Sequence, residues 1–466
     1  MDLLLTHGYF LAEDPKERAI MKPYAPLGLL YLSSHLRARG FAVEIYDSTF
    51  GSREELFALI ARERPPVVGV YGNLMTRANV LSIASAARSH GCRVVLGGPE
   101  PANYPQEYLA TGPAGGPDVN AAGRPDVNAD AIVNGEGEVS LEALLRTWSR
   151  AFPSGADLST VPGIQYRAAN GSIARTQPAP LLPSLDAQPW PDRERIDLAK
   201  YLDAWRLHHG RGSVSVITAR GCPYHCRWCS HSVYGKTHRR RSPASIAEEI
   251  AWIRQRYDPE MLWIADDVFT IHPGWIMQYA AEMRRRDLRI PFECITRADR
   301  MNAAVADTLA SLGCFRVWIG SESGSQKILD AMQRGVRVDQ VRDAVRLLRD
   351  RGIETGMFLM WGYDGEQLGD IEATVEHVKT CRPDVFLTTV SYPIKGTPYY
   401  DDVAARLVRI GEWNSSTDRE VRISGRHSHR FYQFADQLLK SEVAGLIPEA
   451  DAARRGLLES FDEVEA

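Results

Sequence analysis

A chain of 466 residues is too long for one ordinary domain, and we expect two or three. The residues are 44% hydrophobic and 24% charged with a formal net charge of −4, so the charge balance does not indicate nucleic-acid binding. No apolar run is long enough to be a transmembrane segment, and seven cysteines in a mostly scattered arrangement argue against a disulfide framework. The first residues lack the basic segment and cleavage site of a secretory signal. The cysteine usage suits a reducing compartment, so we expect a cytoplasmic protein.

Residues 1–150 alternate strand-like and helix-like stretches with short links, a pattern that predicts a parallel, doubly wound (Rossmann-like) sheet of α/β class. The predicted strands are 2–6, 42–46, 66–71, 93–96 and 131–133, and the predicted helices are 27–39, 54–63, 78–89 and 141–148. No G-x-G-x-x-G motif follows the first strand, which argues against a nicotinamide or flavin dinucleotide. A near-repeat within 116–129 interrupts the alternation, and we interpret it as a surface loop.

Ligands on such a sheet bind beyond the carboxyl ends of the strands, so the segments that follow the strands are candidate ligand contacts. Three of these segments contain glycine or short polar residues that allow a backbone to approach a ligand closely. They are Asn73-Leu74-Met75-Thr76, Gly97-Gly98-Pro99-Glu100 and Gly135-Glu136-Gly137-Glu138. For any one of these loops, turn geometry alone is an equally good explanation.

Proline is frequent in residues 151–210, which we interpret as a linker that wraps the surface, with a small hairpin formed by 163–167 and 172–174. Residues 399–466 are predicted to be a helical extension. A helix that begins near Arg430 carries an apolar stripe, and such a stripe more often packs on a core than on a partner.

The alternation of strands and helices resumes over residues 211–398, where six βα units predict a partial parallel (β/α)6 barrel. The predicted strands are 214–218, 261–264, 292–295, 316–319, 355–359 and 385–390, and the predicted helices are 245–256, 275–285, 303–311, 340–350 and 371–380. In barrels of this kind the chemistry takes place at the carboxyl ends of the strands.

Three of the seven cysteines form a C-x3-C-x2-C motif at Cys222, Cys226 and Cys229, directly after the first barrel strand. Three thiolates on one loop can bind three irons of a [4Fe-4S] cluster and leave the fourth iron open to another ligand. The alternative is a structural zinc site with His225 or His231 as the fourth ligand. The position at a strand end favours the cluster, because a structural zinc site has no need of that position.

Polar residues also follow the other barrel strands. They are Asp266 and Asp267, Thr296 and Arg297, Ser321-Glu322-Ser323, Trp361-Gly362-Tyr363, and Tyr392. Carboxylates, an arginine and hydroxyls at one barrel mouth could bind a zwitterionic ligand that carries a ribose. A solvated loop or a helix cap better explains any single residue, but not the whole set. The run Arg239-Arg240-Arg241 is most simply a solvated patch, and the alternative is pairing with acidic groups near the cluster.

The cysteine motif, with Trp228 before its last cysteine, resembles the signature of radical S-adenosylmethionine (SAM) enzymes. The chain from about residue 25 to about residue 400 is similar to the subgroup with an N-terminal cobalamin-binding domain. Within it, the chain resembles the anaerobic magnesium-protoporphyrin ester cyclases and the class B radical SAM methylases. The matching stretches are 25–32, 96–100, 135–138, 264–269, 320–324 and 395–398.

The resemblance implies four parts. They are a cobalamin-binding domain (1–150), the linker (151–210), a radical SAM partial barrel (211–398) and a C-terminal extension (399–466). It implies that the cysteines hold a [4Fe-4S] cluster whose open iron binds SAM, and that one electron cleaves SAM to a 5′-deoxyadenosyl radical. In methylases of this group a second SAM methylates cob(I)alamin, and the substrate radical collects the methyl group.

The function implied is therefore methyl transfer to an unactivated carbon of a small or lipid-like metabolite, through methylcobalamin. The alternative is oxidative cyclisation or rearrangement without net methyl transfer. The resemblance also implies an electron donor such as flavodoxin or ferredoxin.

Residue roles follow from the resemblance, position by position. Trp228 would contact the cofactors beside the cysteines. Asp266 and Asp267 would lie near the amino group of SAM, Arg297, Ser321 and Glu322 near its carboxylate and ribose, and Gly362 and Tyr363 near its adenine. The cobalamin site would be lined by Asn73, Met75, Thr76, Gly97, Gly98, Glu100, Gly135 and Glu136.

The D-x-H-x-x-G motif that supplies an axial histidine in other cobalamin proteins is absent, and His7 and His90 stand in no such context. This absence fits cobalamin bound without a histidine ligand, and it equally fits a domain that has lost cobalamin.

Overall fold

The chain divides into two compact units in this computed structural model, which describes residues 1–109, 128–150 and 156–465. The near-repeat within 116–129 lies almost entirely outside the described residues, so its interpretation as a surface loop stays a prediction. Each unit gathers three stretches of the sequence. The first unit is Met1–Val214 with His231–Gly235 and Gly411–Thr417, and the second is Ser215–Ser230 with Lys236–Ile410 and Asp418–Ala466.

A sheet of seven strands is the centre of the first unit. The strands are β1 (Leu3–His7), β2 (Val43–Ile45), β3 (Val67–Tyr71), β4 (Arg93–Gly97), β5 (Ala131–Val133), β6 (Ile164–Arg167) and β7 (Ile173–Arg175). The helices are α1 (Pro15–Ile20), α2 (Leu27–Arg37), α3 (Arg53–Glu63), α4 (Arg77–Ser89), α5 (Pro105–Tyr108), α6 (Gly137–Arg150) and α7 (Leu198–His209). The strand order is β2-β1-β3-β4-β5-β6-β7, with parallel pairing from β2 to β5.

Both faces of this sheet are covered, as the hydrophobic runs of a parallel sheet require. Successive side chains of a strand point to opposite faces, and β1 shows this directly. Leu4 packs with residues of α3 and α4 on one face, whereas Leu3 and Leu5 pack with residues of α2 and α6 on the other. The two cores hold the carboxyl ends of β1, β3, β4 and β5 at one edge.

Residues 156–210, predicted as part of a linker, are an ordered part of the first unit. Strands β6 and β7 form the predicted hairpin and extend the sheet in antiparallel pairing. Several long-range hydrogen bonds hold helix α7. The Trp205 indole N–H donates to the Pro23 carbonyl at 2.8 Å, and the Tyr201 hydroxyl donates to Asp47 Oδ2 at 2.7 Å. Sequence periodicity carries no information about such partners.

The second unit is built on a six-stranded sheet that matches the predicted partial barrel. Its strands are β8 (Ser213–Val216, within which the boundary between the units falls), β11 (Met261–Ile264), β12 (Phe292–Thr296), β13 (Cys314–Glu322), β14 (Glu354–Trp361) and β15 (Val385–Val390). Two short pairs accompany it, β9 (Ala219–Arg220) with β10 (Arg239–Arg240) and β16 (Leu407–Val408) with β17 (Arg422–Ile423). The order is β15-β14-β13-β12-β11-β8, and the pairs from β11 to β15 are parallel.

Nine helices surround this sheet or follow it in the described residues of the second unit. They are α8 (Pro243–Tyr257), α9 (Pro273–Arg285), α10 (Ala303–Leu312), α11 (Gln326–Ala331), α12 (Val338–Arg349), α13 (Leu368–Cys381), α14 (Pro398–Val403), α15 (His429–Ala444) and α16 (Ile447–Glu459). In α15 the residues Phe431, Tyr432, Ala435, Leu438 and Leu439 are buried, so the apolar stripe packs on this unit.

The predicted fold class, a Rossmann-like sheet followed by a partial parallel barrel and a helical extension, is confirmed. Strands 131–133, 261–264 and 385–390 have the predicted bounds, and the others differ by a few residues at their ends. Within the described ranges, no helix is both long enough and apolar enough to cross a membrane.

Candidate active site and cofactor sites

The loop that carries the cysteine motif begins and ends at a short antiparallel pair of strands, β9 and β10. Arg220 pairs with Arg239 and Ala219 with Arg240 in antiparallel register, so the chain returns to the point where it departed. Gly221 follows β9 with φ +85°, and a Cβ there would lie 2.3 Å from the Thr237 carbonyl oxygen. Only glycine adopts this conformation without strain and leaves room for that carbonyl. The motif therefore begins at the carboxyl end of the first barrel strand, as predicted.

The three cysteines of the motif are free thiols in different surroundings. Cys226 is buried, Cys222 is half-buried and Cys229 is exposed. Burial raises the pKa of Cys222. Protein atoms around the sulfur of Cys229 desolvate its thiol and, with the nearby Cys226 and Cys222, raise its pKa to about 12. Iron binds the thiolate, so cluster assembly on this loop must release protons.

Two buried arginines lie against the sulfur of Cys226. Nη1 of Arg297 is 3.9 Å from it and Nη1 of Arg334 is 3.8 Å from it. The side chains of Arg297 and Arg334 are 3% and 7% exposed, so both charges are removed from water. Asp299 and Glu322 offset part of the cost of burying these two cations, and a neutral thiol adds little to that compensation. A thiolate bound to an anionic cluster compensates for that cost, so these residues fit the iron–sulfur cluster.

Asp266 and Asp267 are adjacent in sequence but have different partners. Asp266 is buried and accepts hydrogen bonds from the Thr218 N–H at 2.6 Å, the Ala219 N–H at 3.0 Å and the Thr218 hydroxyl. Arg240 completes its surroundings at 3.0 Å. Asp266 thus fixes the base of the cysteine loop. Asp267 is exposed and forms no hydrogen bond with the described part of the chain, which leaves its carboxylate open to a ligand.

The expectation that Arg239-Arg240-Arg241 is a solvated patch is wrong for two of its members. Arg240 pairs with Asp266 and lies 3.8 Å over the ring of Trp275. Arg241 pairs with Glu249 at a buried position of α8. The alternative was pairing with acidic groups near the cluster, and Arg240 does pair with such a group, Asp266. A run of like charges is usually solvated, and the antiparallel pairing of β9 with β10 is what brings Arg240 inside.

The end of β13 brings Ser321 and Glu322 to the barrel mouth with different environments. The Ser321 hydroxyl is buried against Nε2 of His377 at 3.1 Å, and burial with nearby Arg342 lowers the pKa of His377 to about 4. Glu322 has φ +63°, which is strained for a residue with a side chain. Burial raises the pKa of Glu322, and Arg334 and Arg297 oppose that shift.

After β14, Gly362 and Tyr363 are held by residues that the sequence does not single out. The Gly362 N–H donates to Glu366 Oε2 at 2.6 Å, and the Tyr363 ring stacks on Tyr399 with centroids 4.6 Å apart. Trp228 packs against the same apolar group as Tyr363. Burial raises the pKa of Glu366 to about 8. An acid four residues after Gly362 is the signal that could have indicated this contact.

The predicted cobalamin residues lie at the carboxyl edge of the first unit's sheet. Asn73 and Thr76 form a closed turn, in which Asn73 Oδ1 accepts from the Met75 N–H at 2.9 Å and Thr76 Oγ1 accepts from the Asn73 N–H at 3.1 Å. Met75 is 50% exposed on this turn, and Tyr71 at the end of β3 is 37% exposed.

Glycines keep this edge free of side chains. Nothing lies within 4 Å of a Cβ built on Gly97, whereas a Cβ on Gly98 would lie 2.3 Å from the Gly72 carbonyl oxygen. Gly135 has φ +78° at the end of β5, and Glu136 beside it is largely buried. Exposed apolar groups beside bare backbone fit a large flat cofactor such as the corrin ring of cobalamin.

Glu100 is engaged within the protein. It forms a buried ion pair with Arg77 and accepts from the Tyr108 hydroxyl at 2.9 Å. His7 is engaged too, with Nε2 3.0 Å from Asp47 Oδ1 and Nδ1 accepting from the Tyr9 N–H at 3.2 Å. Both ring nitrogens of His7 therefore have partners in the protein, and His90 follows α4 at the opposite edge. Neither histidine is placed as an axial ligand.

Within the described ranges, no three His, Cys, Asp or Glu side chains, those of the cysteine motif included, converge on one point as the ligands of a single metal ion do.

Two family models match the chain, one in each unit. The radical SAM superfamily model matches residues 216–378, and the B12 binding domain model matches residues 20–145. The first match includes the cysteine motif and strands β11 to β14. The chain belongs to the cobalamin-binding radical SAM family. The predicted family and the predicted cofactors of its two domains, a [4Fe-4S] cluster with SAM and cobalamin, are confirmed.

Individual relatives of this family align with most of the chain. An uncharacterized methyltransferase of Pyrococcus horikoshii is 27% identical over 87% of this chain and 85% of its own length. The anaerobic magnesium-protoporphyrin IX monomethyl ester cyclase of Synechocystis is 25% identical over 82% of this chain and 74% of its own. The solved radical SAM methyltransferase TsrM of Kitasatospora setae has a TM-score of 0.69 at 20% identity, with 86% of this chain and 76% of TsrM covered, which shows the common fold.

As a radical SAM enzyme, the protein has a cluster in place of the structural zinc site that the cysteine spacing also allowed. The individual cofactor-contacting residues stay predictions. The structure adds Arg334, Glu366, Arg240 and Tyr71 to the candidate residues. No strand-end position indicates Arg334, because it lies in the loop between α11 and α12.

Proposed function

We propose that this radical SAM enzyme transfers a methyl group from SAM, through cobalamin, to an unactivated carbon of its substrate. The observation that carries the proposal is the pairing of a cobalamin-binding sheet with a barrel that bears the cysteine motif. Relatives that align with most of both units are named as methyltransferases. When bound, the cluster with SAM supplies a 5′-deoxyadenosyl radical for C–H bond cleavage and cobalamin carries the methyl group.

The protein's own residues bind and orient these groups. Cys222, Cys226 and Cys229 would hold three irons, and the N–H groups of Arg297 and Arg334 would meet the negative charge at Cys226. Because Asp267 has a free carboxylate, it would bind the amino group of SAM, and Asp266 would act through the loop that it fixes.

The remaining SAM contacts would come from the ends of β13 and β14. Glu322 is directed by its left-handed backbone and would accept from ribose hydroxyls. The stacked rings of Tyr363 and Tyr399 would border the adenine together with Gly362, whose Cα lies against the ring of Tyr432. Ser321 and Arg297 hydrogen-bond inside the protein, so we assign them to positioning these contacts and the cysteine loop.

The cobalamin contacts would be Asn73, Met75, Thr76, Gly97, Gly98, Gly135 and Glu136, with Tyr71 as an addition. Glu100 would act by holding Arg77 and Tyr108 beneath that edge. His7 and His90 are not placed as ligands, and the absence of a D-x-H-x-x-G motif supports cobalamin binding without an axial histidine.

Label transfer tests the proposal without knowledge of the substrate. The enzyme is reconstituted anaerobically with iron, sulfide and cobalamin, reduced, and supplied with SAM that carries a CD3 group. Methyl transfer predicts CD3-labelled cobalamin in the extract, detected by mass spectrometry, together with S-adenosylhomocysteine. Cleavage of SAM to 5′-deoxyadenosine with no label on cobalamin would contradict it. A Cys226→Ala variant is the control, because it should lose 5′-deoxyadenosine formation.

Oxidative cyclisation is the second candidate, favoured by the alignment with the Synechocystis cyclase. The mass of the product distinguishes the two once a substrate is known. Gain of one methylene supports methyl transfer, and loss of hydrogen or gain of oxygen supports cyclisation.

We further propose a small or lipid-like substrate, a flavodoxin or ferredoxin as electron donor, and a cytoplasmic location. The family's need for a low-potential electron supports the donor, and seven cysteines without a disulfide framework support a reducing compartment.

A further inference from the structure

Arg334 is a buried cation that the radical SAM signature does not explain. Its Nη1 lies 3.8 Å from the sulfur of Cys226, and its Nη2 donates to the Gly320 carbonyl at 2.9 Å. Its Nε is buried, has no hydrogen-bond partner among the described residues, and lies 3.7 Å from Glu322 Oε1. A buried guanidinium with an N–H that lacks an acceptor is costly, so its position beside Cys226 favours additional negative charge at that sulfur.

Arg297 holds a second guanidinium in a fixed orientation beside the first. Its Nη2 donates to the Arg334 carbonyl at 2.8 Å, and its Nε donates to Asp299 Oδ1 at 2.9 Å. Its charged group lies 3.6 Å over the Tyr224 ring, inside the cysteine motif. The remaining nitrogen, Nη1, is the one 3.9 Å from the Cys226 sulfur. Neither guanidinium can rotate away from that sulfur without loss of other contacts.

We propose that Arg334, together with Arg297, donates hydrogen bonds to the sulfur of Cys226 when it binds iron, and thereby raises the reduction potential of the cluster. Potentials of such clusters depend on net charge, on hydrogen bonds to the sulfurs and on solvent exposure. Reduction adds one electron to the cluster, and a nearby buried cation stabilises the added charge. The effect is strong here because both side chains are largely removed from water. Arg334 is thus a positioning residue that eases delivery of the first electron.

The proposal rests on the cluster being held by the three cysteines, but it does not depend on methyl transfer. An enzyme that fails the CD3 test in its unsubstituted form can still show the effect of Arg334 on the potential. Conversely, methyl transfer can be real while Arg334 has no effect on the potential.

The experiment is a redox titration of the reconstituted cluster, followed by electron paramagnetic resonance and carried out without SAM. Three variants of the full chain are compared with the unsubstituted protein: Arg334→Gln, Arg334→Lys and the control Arg337→Gln. Arg337 is an exposed arginine three residues away whose partner is Asp339. Iron and sulfide per chain are measured first, so that only loaded clusters are compared.

We compare the proteins at one potential, the midpoint potential of the unsubstituted protein. There we expect the ratio of reduced to oxidised cluster in Arg334→Gln to be about tenfold lower than in the unsubstituted protein. For a one-electron couple this corresponds to a shift of about 59 mV to more negative potential. Arg334→Lys keeps the charge but loses the planar fork, so its shift should be smaller and of the same sign. Arg337→Gln should leave the ratio unchanged.

A loaded Arg334→Gln protein with an unchanged ratio overturns the proposal. If that variant does not load iron, Arg334→Lys decides, and an unchanged ratio in it has the same consequence. Failure of both to load overturns it too, because Arg334 would then serve only the structure of the loop. Equilibrium binding of SAM separates one further role. Weaker SAM binding with an unchanged potential would identify Arg334 as a ligand of the SAM carboxylate, and the tuning role would be refuted.

Discussion

The glycine that begins the cysteine loop offers a sharp test of the site's construction. Gly221 has φ +85°, and an added Cβ would lie 2.3 Å from the carbonyl oxygen of Thr237. Ordinary van der Waals contact begins at 3.4 Å, so in Gly221→Ala that backbone carbonyl must move by about 1 Å (3.4 minus 2.3). Thr237 lies where the loop returns, two residues before the start of β10.

The expected cost has two parts. Alanine in a left-handed backbone conformation costs about 1–2 kcal/mol. Insertion of a methyl group into a filled space typically costs about 1–3 kcal/mol more. Gly445→Ala is the matched control in the same unit, because Gly445 has φ +72° at the end of α15 but nothing within 4 Å of an added Cβ. The difference between the two variants isolates the clash at the base of the cysteine loop.

The free energy of unfolding is measured by urea denaturation of each variant, and iron is counted after anaerobic reconstitution. We expect Gly221→Ala to be less stable than Gly445→Ala by about 1–3 kcal/mol and to bind less iron, whereas Gly445→Ala should load fully. Equal stability and equal iron content in the two variants would refute the idea that the Gly221–Thr237 approach holds the loop.

Three other predictions follow from the buried charges. Asp266→Asn should destabilise the protein by about 3–5 kcal/mol and reduce iron loading, because it removes one partner of a buried ion pair. Asp267→Asn should leave the free energy of unfolding and the iron content unchanged and should weaken SAM binding. Equal effects of the two substitutions would contradict the different roles of the two residues. Burial raises the pKa of Glu366 to about 8, so the folded chain retains a proton that the unfolded chain loses near pH 4.5, and the free energy of unfolding should fall between those pH values. Glu366→Gln should flatten that dependence in denaturation curves from pH 5 to 8, and an unaltered slope would disprove the assignment. Arg77→Met should cost about 3–5 kcal/mol by leaving Glu100 unpaired, and adding Glu100→Gln should recover part of the loss; a double variant no more stable than the single one would contradict this.

The elements and the place of the cysteine loop after the first barrel strand could be predicted from the sequence, because both depend on local patterns. A single sequence is enough to recognise the cysteine spacing, the apolar runs of the strands and the glycines at the end of β4. The difference between Asp266 and Asp267 is not, because both follow the same strand. Which of them turns inward depends on Thr218 and Arg240, which are distant in sequence.

The same limit explains the residues that were missed. Arg334 belongs to the candidate site because the loop after α11 lies against Cys226, a contact over 108 positions. Helix α7 was not predicted, because the segment before it is rich in proline. Its position depends on hydrogen bonds from Trp205 and Tyr201 to N-terminal segments of the chain. A charge run such as Arg239-Arg240-Arg241 is predicted to be solvated from the sequence alone, because the sequence does not reveal the pairing of β9 with β10.

The route of the chain between the two units limits how this protein can be divided. Residues 231–235 and 411–417 belong to the first unit although they follow the start of the second unit in the sequence. The polypeptide therefore passes from one unit to the other five times. The last of these returns delivers the carbonyl oxygens of Trp413 and Ser416 to the buried Arg77, at 2.9 and 2.7 Å, and the Trp413 ring to Tyr108. A fragment ending at Val214 would leave that guanidinium short of two acceptors and its aromatic neighbours uncovered. Any transfer of the first unit to another protein would therefore have to include two short segments that are distant in the sequence.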